Sequence, residues 1–282
     1  MSDTANDGVK DASNEAGYAY EKDGAIAWLR LQRPRARNAL TPRMLCGMAD
    51  AFVDFRDDDA LRVLILTGEG DQAFCAGGDL GSSLPLLTGD RAPADEWDRR
   101  VLEDPMVMKA SSLRGFDLHK PVIAALNGTC LAAGFEIMLG TDIRLAVPGA
   151  LLALPEVRRG LVPFAGSMVR LPRQIGHARA MQIMLTGQPI TAEEALAMGL
   201  VNEVVPPTRL RARAREIAEQ IAANAPLAVQ AVKRTSVDTS GRPFEEAFAI
   251  EDTAKDHILA TDDAREGPRA FMEKRPAVFK GR

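Results

Sequence analysis

A chain of 282 residues, 46% hydrophobic and 26% charged, has the balance of an ordinary globular protein and enough apolar mass for one sizeable core. Its net charge of −4 comes without a long basic run, which argues against a nucleic-acid surface. No apolar run approaches the ~20 residues that cross a bilayer, and three scattered cysteines, Cys46, Cys75 and Cys130, point to a reducing compartment, the cytoplasm, rather than a disulfide framework.

Residues 1–17, rich in Asp, Asn, Ser and Glu, read as a disordered tail that lacks the basic start and apolar centre of a secretory signal. Residues 25–31 alternate loosely and read as a strand, followed by a polar loop at 33–38. Thr41-Pro42 opens a helix as N-cap and first-turn proline, and Leu45, Met48, Phe52 and Phe55 form its apolar stripe. Residues 63–66 are wholly apolar, as in a strand buried on both faces. Residues 121–126 and 143–147 read as further strands. Strands alternate with helices to about Val162, the pattern of an α/β layered core with crossover connections. Beyond it the chain reads as helical, with a capping box at Thr191-Ala-Glu-Glu194, a helix stop at Gly199, and helices over 209–223, 227–237, 244–259 and 261–274.

Two segments carry chemistry. Ala73-Phe-Cys-Ala-Gly-Gly-Asp79-Leu80 places small residues after a strand, where backbone can approach a ligand or simply make a tight turn. No Gly-Lys-Ser/Thr follows, so it is not a phosphate loop. In Asn127-Gly-Thr-Cys-Leu-Ala-Ala133-Gly134-Phe-Glu136, a strand runs through Ala-Ala-Gly into a helix. The first N–H groups of such a helix lack internal partners and can face a developing negative oxygen. Glu136 lies one turn along, beside that opening or as a dipole-stabilising residue. Cys75 lacks a plausible His partner and reads as a packing residue rather than a nucleophile.

These two segments, in this order, resemble the crotonase superfamily, also called the enoyl-CoA hydratase/isomerase family, from about Gly24 to the C-terminus. Further landmarks are Arg33-Pro34, Arg37-Asn-Ala-Leu40, Lys120-Pro-Val-Ile-Ala-Ala125, Pro155-Glu156, Gly160-Leu161, Leu171-Pro-Arg173 and Gly199-Leu-Val-Asn202. The resemblance implies a spiral core of ββα repeats, here 18–205, and a C-terminal helical trimerisation region, 206–282. It implies an acyl-CoA substrate, no metal or other cofactor, no nucleic-acid or membrane partner, and homotrimers that pair into hexamers. Carried over by position, the oxyanion N–H groups fall on Gly78 and Ala133 and the paired glutamates on Glu136 and Glu156. Arg37, Ala39, Ala76, Asp79 and Leu80 fall beside the coenzyme A moiety. The chain departs from the family in Ala132-Ala133, where many members have Gly-Gly, and in Phe164 and Ser167, where hydratases commonly have Gly. Phe164 is expected to project towards the catalytic water. The variable stretch 81–118 is expected to roof the acyl pocket.

The expected reaction is hydration of a trans-2-enoyl-CoA to a 3-hydroxyacyl-CoA. The alternatives are another reaction of the family, double-bond isomerisation or thioester hydrolysis, and a non-catalytic acyl-CoA-binding protein. Isomerases of the family often manage with one carboxylate, at the Glu156 position, so the presence of both favours hydration.

Overall fold

The computed structural model describes residues 16–282. The expected tail therefore lies outside the described residues except for its end, where Gly17 is buried and its carbonyl accepts from the Gln32 N–H at 2.7 Å.

The strands are β1 (Tyr18–Asp23), β2 (Ile26–Leu31), β3 (Val63–Gly68), β4 (Ala73–Cys75), β5 (Val122–Leu126), β6 (Thr129–Leu131), β7 (Ile143–Ala146), β8 (Leu151–Ala153), β9 (Ile190–Thr191) and β10 (Glu203–Val204). They form two sheets, a six-stranded one in the order β1-β2-β3-β5-β7-β10 and a four-stranded one in the order β4-β6-β8-β9. Chain order explains the split. Each pair β3/β4, β5/β6 and β7/β8 gives its first strand to the large sheet and its second to the small one, so each turn of the spiral adds one strand to both. Neighbours are parallel except β1 with β2 and β8 with β9. The interior of the large sheet is apolar on both faces: β3 is buried at every residue, with Ile65 opposite Ile123 and Ile123 opposite Ile143.

The first long helix, Pro42–Asp57, begins as its sequence dictates. The Thr41 hydroxyl accepts from the Met44 N–H at 3.3 Å, Pro42 occupies the first turn, and Leu45, Met48, Phe52 and Phe55 are all buried. The capping box at Thr191 and Glu194 is formed in both directions, and Gly199 follows that helix with φ +74°. The segment between β4 and β5 folds into three short helices, Ser83–Thr88, Glu96–Glu103 and Pro105–Ser111.

The helical end has two characters. Helix Pro207–Ala222 lies against β3 and β5 and buries Leu210, Ala214, Ile217 and Ala218. Helices Pro226–Asp238 and Phe244–Leu259 bury no residue. After helix Asp262–Met272 the chain folds back: Asp263 accepts from the N–H groups of Lys280 and Gly281, and Arg62 donates to the carbonyls of Ala222 and Phe279. No helix among the described residues is long and apolar enough to cross a membrane.

Candidate active site

Three adjacent parallel strands of the small sheet, β4, β6 and β8, end at one cavity of about 180 Å³. The chain leaves β4 through Ala76 and Gly78, leaves β6 through Ala132 and Ala133 into helix Ala133–Met138, and leaves β8 into the short turn Glu156–Arg159. Carboxyl ends of parallel strands are where α/β folds gather ligand-binding groups.

The approach of the first two exits is close. Gly77 has φ +101°, and a Cβ placed on it would stand 2.7 Å from the Ala132 Cβ, so a side chain there is excluded twice over. Ala132 turns the chain into the helix with φ 50° and ψ −125°, a conformation that glycine adopts far more readily. This strained turn presents the Ala133 N–H at the start of the helix. Among the described residues neither the Gly78 N–H nor the Ala133 N–H has a hydrogen-bond acceptor, whereas the Asp79 N–H beside them donates to the Leu40 carbonyl at 2.8 Å.

Glu136 stands in the first turn of that helix and is only 3% exposed. Its Oε1 accepts from the Ser167 N–H at 3.2 Å. Desolvation pushes its pKa up to about 7, against the lowering effect of that hydrogen bond, and the nearby Glu156 charge adds to the rise. Glu156 is also raised, chiefly by burial, and its Oε2 is buried without a partner among the described residues. Two desolvated carboxyls in one cavity each keep a proton more readily than a carboxyl in water, and their titrations are coupled.

The cavity brings together Ala76, Gly78, Leu80, Ala133, Glu136, Glu156 and Phe164 from the sequence-predicted set; Arg37, Ala39 and Asp79 stand in the adjoining loops and do not line it. Those loops are tied to the site. The Arg37 carbonyl accepts from the Ala76 N–H at 3.0 Å, and Arg33 bridges the Ala39 carbonyl and the Asp79 carboxylate at 2.6 and 2.9 Å. Burial opposes the Asp79 charge, but hydrogen bonds from Arg33 and Ser82 hold its pKa below the usual range. Phe164 is 45% exposed and faces the cavity rather than the core. Cys75 is fully buried, and desolvation pushes its thiol up to about 12, so it packs rather than reacts.

Sequence reasoning missed the burial of Ser111 in the cavity wall, whereas the strain at Ala132 was signalled by alanine standing where many members of the family have glycine. A serine pair carries no pattern that announces its burial.

Residues 21–282 match the family model described as enoyl-CoA hydratase/isomerase. The chain is 40% identical over 262 residues to enoyl-CoA hydratase EchA19 of Mycobacterium tuberculosis, covering 93% of this chain and 96% of that protein. It is 40% identical over 265 residues to carnitinyl-CoA dehydratase of Salmonella typhi, covering 93% and 97%. Among solved structures it is similar to an enoyl-CoA hydratase from Bacillus anthracis, at a TM-score of 0.84 and 34% identity over 94% of this chain and all of that one.

Proposed function

The chain belongs to the enoyl-CoA hydratase/isomerase family, and from that premise we propose that it is an enoyl-CoA hydratase, adding water across the 2,3 double bond of a trans-2-enoyl-CoA to give a 3-hydroxyacyl-CoA. The observation that carries this reading is the pair of desolvated carboxyls, Glu136 and Glu156, at the strand ends that also present two unpartnered N–H groups.

The Gly78 and Ala133 N–H groups hold the thioester oxygen, which takes up negative charge as the enolate forms; each such donor is worth about 3 kcal/mol at a transition state of this kind. Glu136, ionised, takes a proton from the water that attacks C3. Glu156, protonated, delivers its proton to C2, and one proton then passes between the carboxyls to restore the starting state. Arg37, Ala39, Ala76, Asp79 and Leu80 border the coenzyme A moiety at the cavity mouth, with the Arg33–Asp79 ion pair fixing the two loops. A hydratase and a dehydratase move the same water in opposite directions, so relatives of both names support water chemistry over isomerisation or thioester cleavage.

The active form in this reading is a homotrimer or a dimer of trimers. Support comes from the apolar residues left open on the C-terminal helices: Phe244 is 80% and Phe271 81% exposed, and Phe244 stacks on Phe248 at 6.0 Å between ring centres.

The test is turnover without added metal on trans-2-enoyl-CoA thioesters of several lengths. Loss of the conjugated-thioester absorbance with a 3-hydroxyacyl product is the expected result. Silence across the series, with acyl-CoA still bound, contradicts it.

A further inference from the structure

The cavity wall contains a polar group that hydration does not use. Ser111, the last residue of helix Pro105–Ser111, lines the cavity and is completely buried. Its hydroxyl has no hydrogen-bond partner among the described residues. The other two serines of the wall are satisfied: Ser83 donates to the Leu40 carbonyl at 2.7 Å and Ser112 to the Met108 carbonyl at 2.5 Å. Apolar side chains such as Leu45, Met108 and Ile137 make up much of the same wall. A buried hydroxyl without a partner is costly, and a purely hydrocarbon acyl chain would leave it so.

We propose that Ser111 is a specificity residue that hydrogen-bonds a neutral oxygen, hydroxyl or ketone, carried by the acyl chain beyond its reacting carbons. The inference rests on the acyl-CoA reading of the cavity. The charges present select a neutral group. Glu136, Glu156 and Arg159 are the ionisable residues of the lining. An anionic tail would meet the two carboxyls, and a cationic tail would hold both of them ionised and so disable the proton donor. Arg159 does not alter this, because its side chain lies exposed beside Glu156, whose pKa it lowers. A hydroxyl or ketone satisfies Ser111 without disturbing the pair. The competing arrangement is local: the Ser111 hydroxyl turns to a carbonyl of its own helix one turn back and selects nothing.

Binding of saturated thioesters separates the two and does not depend on turnover. Calorimetry compares hexanoyl-CoA with 4-, 5- and 6-hydroxyhexanoyl-CoA on the full chain and on Ser111→Ala. At least one hydroxylated thioester should bind the parent more tightly than hexanoyl-CoA. Ser111→Ala should weaken that one roughly five- to tenfold, the scale of one neutral hydrogen bond. Hexanoyl-CoA should bind the variant at least as well as the parent, and the melting temperature should not fall, since the lost hydroxyl had no partner. Equal effects on all four thioesters, or none, overturn the role of Ser111. If hexanoyl-CoA does not bind the parent at all, the acyl-CoA reading fails first. If binding shows the selectivity but no enoyl-CoA is hydrated, hydration fails and Ser111 stands.

Discussion

The two walls of the cavity are built differently. One wall is backbone: the exits of β4, β6 and β8, where Gly77 and Ala132 touch and where N–H groups and first-turn carboxyls are placed by the sheet itself. The other is side chain: Leu84 and Leu87, Met108 and Ser111 from the short helices between β4 and β5, together with Phe164. The first wall hangs on strands that every turn of the spiral shares. A change in the second alters bulk or polarity and leaves both sheets in place. In the proposed function, chemistry belongs to the backbone wall and selectivity to the side-chain wall, and the predictions below probe both.

The largest effects fall on the backbone wall. Glu136→Gln and Glu156→Gln should each lower kcat by about a hundredfold or more, the scale of a general acid or base, with KM changing far less. Steady-state kinetics on one enoyl-CoA checks this. Loss with Glu156→Gln alone would turn the assignment towards a one-carboxylate isomerase.

Stability should move in the opposite direction. Glu136 has a folded pKa of about 7, above its unfolded value, so the folded state binds the extra proton. Stability is then greatest below the unfolded pKa, falls as pH rises from there to about 7, and levels off beyond, by about 3 kcal/mol in all. Glu136→Gln should remove that slope and raise the melting temperature at pH 8. The acid limb of kcat/KM should lie near the same pH, as an apparent constant of the carboxyl pair. A parent and variant with parallel stability–pH curves would contradict the burial argument.

The side-chain wall is tested by Phe164→Gly. Because Phe164 is 45% exposed, the variant should fold, and it should hydrate crotonyl-CoA several-fold faster by opening space for water beside the carboxyls. A drop of several kcal/mol in stability with no gain in rate would make Phe164 a packing residue.

The smallest effect is at Ala132. Glycine adopts φ 50° and ψ −125° without strain, so Ala132→Gly should stabilise the fold by about 1 kcal/mol, the relieved strain less the added freedom of the unfolded chain. Activity should stay within a few-fold, since the Ala133 N–H is kept. Denaturant unfolding of the two proteins gives the difference.

The long elements were legible because their signals are strong and local. The Thr41-Pro42 start, the stripe Leu45, Met48, Phe52 and Phe55, and the wholly apolar 63–66 all correspond to the structure. Periodicity alone could not find the small sheet: β4, β6 and β8 have three residues each, too few to show a period of two. They entered only through the ordered motifs around them, Ala73 to Leu80, Asn127 to Glu136 and Pro155-Glu156. The residues between β4 and β5 gave no pattern that fixed their three helices. The orphaned Ser111 hydroxyl depends on what surrounds it in space, which a sequence does not print.

The central claim is that this cavity moves water onto C3 and a proton onto C2. Incubating a trans-2-enoyl-CoA with the protein in ¹⁸O-labelled D₂O and reading the product by mass spectrometry tests it most directly. The account predicts a 3-hydroxyacyl-CoA with ¹⁸O at C3, deuterium at C2 and an intact thioester. A free acid with ¹⁸O in its carboxylate, or a shifted double bond with deuterium and no ¹⁸O, would contradict it.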